Sequence, residues 1–122
     1  MKTDNVVQAK SYAFAVRIVK MCQFLRKTKK EYVLSKQVLR SGTSIGANVE
    51  EAIGGQSRPD FLAKMGIAYK EARETVYWLR LLKDTGYLTD SEFGSIHAEA
   101  EELCRIIGSI RKTGTEEQAQ SE

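Results

Sequence analysis

Apolar residues recur along this chain with a helical period, and no stretch of any length shows the alternation of a strand. Val7, Phe14, Ile18, Met21 and Leu25 stand seven, four, three and four apart, so they share one face of a helix expected over about Asp4–Lys29. Tyr12, Ala15, Val16, Val19 and Cys22 widen that face beyond the single stripe a surface helix needs, which predicts contacts both within the fold and beyond it. A second helix is expected over about Lys36–Ile53, with Ser35 as N-cap and Gly54-Gly55 as its stop. The third opens on Ser57-Arg58-Pro59-Asp60, a capping serine followed by an early proline and an acid. Its core stripe is Phe61, Met65, Ala68, Ala72, Val76 and Leu79; Leu62, Tyr69, Trp78, Leu81 and Leu82 lie beside or opposite it, and Gly86 closes it. The fourth begins at a capping box, Thr89-Asp90-Ser91-Glu92, and carries a narrow heptad-like seam of Phe93, Ile96, Ala100, Leu103, Ile107 and Ile110.

Four such segments with short links predict an all-α, up-down-up-down four-helix bundle forming one domain over residues 4–113. Residues 114–122 are polar and lack aromatics, which predicts a disordered tail. The doubled apolar faces of the first and third helices predict a homo-oligomer.

The second helix departs from this plain pattern. Gly42 and Gly46 lie four apart on one face, and each costs about 1 kcal/mol relative to alanine inside a helix. With Ser41, Ala47 and Ala52 also short, the expectation is a close approach by another helix. Gln37, Arg40, Ser44, Asn48 and Glu51 step by three, four, four and three and form a polar ridge. That ridge is either solvent-facing or a hydrogen-bonded network in which Arg40 pairs with Glu51 or with an acid of another helix. A phosphate-cradling loop is disfavoured, because the lysine and preceding strand of such a loop are missing.

Charge adds a direction. The net charge is +3, but the first 40 residues hold ten Lys and Arg against Asp4 and Glu31. Such an imbalance marks either a nucleic-acid surface or helices that pair by charge. The cluster Arg26-Lys27-Thr28-Lys29-Lys30 also complements the negative end of the first helix. Cys22 and Cys104 match no ligand spacing and are expected to be reduced, partly buried hydrophobes. The N-terminus has no secretory pattern and no apolar run approaches membrane-spanning length, so a cytoplasmic protein without membrane contact is expected.

The stretch Gln37, Arg40, Ser44-Ile45, Asn48-Val49, Glu51-Ala52 resembles the signature of the small bacterial four-helix-bundle proteins first noticed as reading frames in intervening sequences of 23S ribosomal RNA genes. Asp60-Phe61, Ile67-Ala68, Glu71-Ala72 and Tyr77-Trp78-Leu79 resemble a subgroup of them, and the likeness spans about residues 8–110. The chain departs from many relatives at Lys29-Lys30-Glu31-Tyr32, where they carry Phe-Pro, and at Ala52, where they carry glycine. The resemblance implies a homo-oligomer, a five-fold barrel. It also implies distant kinship to the accessory variability protein of diversity-generating retroelements, a nucleic-acid-binding relative.

Three functions follow as expectations. The first is a non-enzymatic oligomeric scaffold without cofactor that binds RNA or DNA through Arg26, Lys27, Lys29, Lys30 and Lys36, with Arg17 and Lys20 behind them. The second is a protein-binding adaptor, which the sequence does not separate from the first. The third and most remote is a bundle metalloenzyme, for which Glu71, Glu74, His97, Glu101 and Cys104 are the only semblance of a ligand set.

Overall fold

Four helices carry the chain: α1 (Lys2–Lys27), α2 (Leu34–Ile53), α3 (Arg58–Asp84) and α4 (Asp90–Ser121). The computed structural model describes residues 2–121, with side chains over 6–120. Each helix packs on the next, and α4 returns to α1 along a lighter seam, so the four close into a bundle.

The predicted stripes meet at the centre. Val7, Phe14, Ile18 and Leu25 of α1 are buried together with Met65, Ala68, Ala72 and Leu79 of α3. The α4 seam is buried through Ile96, Ala100, Leu103 and Ile107. Each large side chain removed from water there contributes about 1.5–3 kcal/mol. The lighter α1–α4 seam carries charge pairs: Lys10 Nζ lies 3.2 Å from Glu102 Oε1, and the Arg17 guanidinium meets the Glu99 carboxylate. Part of the basic excess of α1 is thus answered by acids of α4.

The helix ends follow the local sequence at four of the five predicted signals, with Gly54 standing at the C-cap of α2. The Ser57 hydroxyl accepts from the Asp60 amide at 3.2 Å. The Thr89 hydroxyl accepts from the Glu92 amide at 3.1 Å while the Glu92 carboxylate accepts from the Thr89 amide at 2.8 Å, a reciprocal capping box. Gly86, at φ +86°, lets the Tyr87 amide reach back to the Leu82 carbonyl at 2.9 Å and end α3.

Two expectations are corrected. The helix α4 does not stop before residue 114 but continues to Ser121, where a disordered tail was expected. Gly114 is buried: a Cβ there would stand 2.5 Å from Leu62 Cδ2, and Arg58 of α3 pairs with Glu117 at 3.1 Å. The segment is polar in composition but is laid along the first turns of α3; Glu122 lies outside the described residues. The second correction concerns α3. Its extra apolar face is largely engaged within the chain, since Leu82 is buried and Tyr69 packs on Gly108. A helix with neighbours on both sides needs two apolar faces without any second subunit. The outer face of α1 is different: Tyr12 is 70% exposed, and Val16 and Val19 are each 37% exposed.

Candidate nucleic-acid interface

The chain leaves α1 at Lys27 and turns through Lys30, whose φ of 57° is the left-handed conformation that a side chain disfavours. That turn reverses the backbone, and the Glu31 amide bonds the Leu25 carbonyl at 3.0 Å. Glu31 then swings inward and is only 7% exposed. Its carboxylate accepts from the amides of Val33 at 3.0 Å, Leu34 at 2.9 Å and Ser35 at 2.7 Å. These are the free donors that open α2, at the positive end of its dipole. Burial pushes the Glu31 carboxyl up, but the amides of Leu34, Ser35 and Val33 and the Ser35 hydroxyl outweigh it and hold the group below its ordinary value.

Ser35 is therefore not the N-cap. It lies inside α2, and the cap position, Val33, contributes no side-chain bond. The Ser35 hydroxyl instead donates to the Glu31 carbonyl at 2.9 Å and accepts from Arg26 Nε at 3.3 Å. The Cys22 thiol donates to the Ser35 carbonyl at 3.4 Å, and burial pushes its pKa up to about 11, so it is an inert thiol rather than a nucleophile. This knot joins the end of α1 to the start of α2 and sets the surface above it.

On that surface Arg26, Lys27 and Lys30 line one open concavity with Gln23 and Tyr32. Lys29 lies over the Phe24 ring at 5.9 Å, and Lys36 is exposed on the first turn of α2. Among the described residues none of these five cations makes an ion pair. Lys20 is displaced to the flank, in a recess with Met21, Phe24, Leu88 and Glu92. Arg17 does not join the set, because Glu99 and the Ser95 hydroxyl of α4 hold its guanidinium. Tyr32 and Gln23, which complete the concavity, and Glu31, which organises it, do not belong to the run of cations that the sequence singles out. The signal for Glu31 was its isolation: it is the lone acid between Lys27 and Lys36.

The signature of α2 is architectural. The glycines face α1: a Cβ on Gly46 would lie 3.3 Å from the Ser11 carbonyl oxygen, and one on Gly42 would lie 2.8 Å from Ile18 Cγ1. Ser41 faces α3, where its hydroxyl lies 2.9 Å from that of Thr75, both residues fully buried. Ala52 is buried as well, whereas Ala47 faces solvent. The polar ridge runs beside the α2–α3 seam, with Gln37 half-buried on it. Arg40 reaches both Glu71, at 3.3 Å, and Glu74, rather than Glu51, which pairs with Lys64 at 2.9 Å. Asn48 donates to the Ser44 carbonyl at 2.8 Å and Ser44 to the Arg40 carbonyl at 2.6 Å. Arg40 is half-exposed, so its pairs are worth at most about 1 kcal/mol, not the several of a buried network.

The remote ligand set does not come together. Glu71 and Glu74 are both engaged with Arg40, and His97 stacks on Phe93 and pairs with Glu101 at 3.3 Å. Among the described residues no group of three or more His, Cys, Asp or Glu is placed to hold a metal ion, and no helix is long and apolar enough to cross a membrane.

The bundle with its glycine-bearing α2 can be set beside known proteins. A model of the 23S rRNA-intervening sequence protein family matches residues 3–109. The chain belongs to that family. A solved structure from Bacteroides thetaiotaomicron VPI-5482, described as a protein of unknown function from the S23 ribosomal protein family, is 54% identical and superposes with a TM-score of 0.89. The match covers 90% of this chain and 98% of that one, so the family fold extends over nearly all of both. No protein of curated function matches the chain. Membership of the 23S rRNA-intervening sequence proteins therefore fixes the fold and carries no activity with it.

Proposed function

We propose that this family member is a non-enzymatic cytoplasmic scaffold. It self-associates through the outer face of α1 and holds nucleic acid at its basic end, without sequence preference. The observation that carries the reading is the concavity of Arg26, Lys27, Lys30, Gln23 and Tyr32, beside which Glu31, the lone acid in sequence between Lys27 and Lys36, is turned inward onto the α2 amides. Cations without carboxylate partners are free to exchange counterions for phosphates, and an exposed aromatic beside them offers a face to a base. Gln23 also borders the apolar strip of Tyr12, Ala15, Val16 and Val19. Burying that strip between subunits would bring several basic ends side by side, and repetition would convert a weak site into a usable one. Five is the subunit number that the family resemblance implies.

Charge reversal tests the binding half. Lys27→Glu/Lys30→Glu is expected to lower affinity for a labelled RNA or DNA by at least about tenfold in low-salt gel shifts and to leave subunit number unchanged in light scattering. If the double variant binds as the wild type does, the basic end is not the interface; if the wild type itself binds neither RNA nor DNA, the adaptor reading takes its place. The assembly half is tested by Val16→Glu/Val19→Glu. Light scattering should show the oligomer reduced to monomers with helical content intact, since both side chains are more than one-third exposed in the single chain. A wild-type protein that is already monomeric would remove this half.

A further inference from the structure

A second concavity, of about 670 Å3, lies in the groove between α3 and α4, outside the loop end. Arg73, Tyr77 and Arg80 of α3 line it, four and three residues apart and so on one helical face, facing His97 and Glu101 of α4. Two carboxylates also line the groove: Glu74 accepts from the Arg40 guanidinium and from Trp78 Nε1, and Glu101 Oε1 lies 3.3 Å from His97 Nε2. Neither arginine makes an ion pair among the described residues. Tyr77 is 53% exposed, and its ring is braced edge-on against Trp78 at 5.1 Å and 75°. An exposed aromatic ring held in one orientation, with a free guanidinium one turn to either side, is an arrangement the bundle core does not require.

We propose that this groove takes single-stranded nucleic acid, one base stacked on the Tyr77 ring and the phosphates flanking it on Arg73 and Arg80. The two arginines are about 10 Å apart along the helix axis, and their long side chains can converge on phosphates on either side of one nucleoside. A duplex keeps its base faces stacked on one another and has none to offer Tyr77. A small anion would use the arginines and leave the tyrosine idle. The ligand class is shared with the reading of the loop end, but the site and its residues are separate, so each can fail alone.

The test is fluorescence anisotropy of the full chain with a labelled single strand of about 12 nucleotides, against a hairpin duplex of the same composition. Tyr77→Ala is expected to weaken single-strand binding about tenfold, and Tyr77→Phe to leave it within about twofold. Arg73→Gln/Arg80→Gln should lower affinity and reduce the slope of log affinity on log salt by about 1.4, about 0.7 for each phosphate released. All three residues are exposed, so circular dichroism of the variants should match the wild type. Loss confined to the Lys27→Glu/Lys30→Glu variant would overturn the groove and leave the loop end standing. Loss confined to the groove variants would do the reverse. Equal binding of the duplex, or an unchanged Tyr77→Ala, overturns the stacking role, and no binding to any probe overturns both sites.

Discussion

Replacing Gly42 by alanine is expected to destabilise the fold, although alanine is the better helix former by about 1 kcal/mol. The added Cβ would stand 2.8 Å from Cγ1 and 2.9 Å from Cγ2 of Ile18, nearer than real contacts allow. Ile18 is fully buried and β-branched, so its χ1 cannot turn both branches away. Overpacking of this kind costs about 1–3 kcal/mol, which exceeds the gain in propensity over most of its range. A control exists in the same chain. Gly94 of α4 has nothing within 4 Å of its would-be Cβ, so Gly94→Ala should stabilise by about 1 kcal/mol for the same change of residue. Urea unfolding of the two variants should therefore move in opposite directions. The cause is checked by removing the obstacle. Ile18→Ala alone should cost about 2–5 kcal/mol, and adding Gly42→Ala to it should cost nothing further or recover part of the loss. Stabilisation by Gly42→Ala in the wild-type background would mean that α1 and α2 do not pack as closely as described.

That pair of glycines shows what kind of information the sequence holds. Two costly residues four apart on one helix predicted close packing, and both face α1. Which neighbour they faced, and that Gly42 accommodates a side chain while Gly46 accommodates backbone, depended on the crossing of the helices, which no local pattern encodes. The apolar stripes of α1, α3 and α4 were readable residue by residue because burial in a bundle follows the 3.6-residue period. Two features failed to read through for a physical reason. The second face of α3 looked like an oligomer surface because periodicity reports that a face is apolar, not what covers it. The 114–121 segment looked disordered because composition does not register a glycine that lets Leu62 sit against the helix. At the basic end the cations were legible as a run. Their division was not, because Arg17 finds Glu99 across 82 positions of sequence.

Glu31 carries the second large effect, and its sign separates two views of the basic end. Glu31→Ala removes the acceptor of three α2 amides and should destabilise by about 2 kcal/mol near neutral pH, the upper part of the range for losing a cap. Glu31→Gln keeps the shape and loses the charge, and should cost about 1 kcal/mol. The carboxyl is held below its ordinary value of 4.5 in the folded state, so between the folded and unfolded pKa values the unfolded chain binds more protons. Its contribution is then complete above about pH 4.5 and is lost as pH falls through the depressed folded value. The gap in stability between wild type and Glu31→Gln should be widest near pH 7 and close on acidification, with every other carboxylate titrating equally in both proteins. A gap that stays constant from pH 7 to about pH 3 would show that the charge on Glu31 does not hold the α2 amides. Nucleic-acid affinity gives the sharper contrast. If the basic end acted by net charge alone, deleting its one acid would raise affinity. In the structure the Glu31 carboxylate pins the α2 amides beside the turn that places Lys30 and Tyr32, and by holding the Ser35 amide it fixes the residue whose hydroxyl accepts from Arg26. Glu31→Ala should therefore lower affinity although the surface becomes more positive, because phosphate contacts made from a frayed helix end lose the preorganisation that makes them effective.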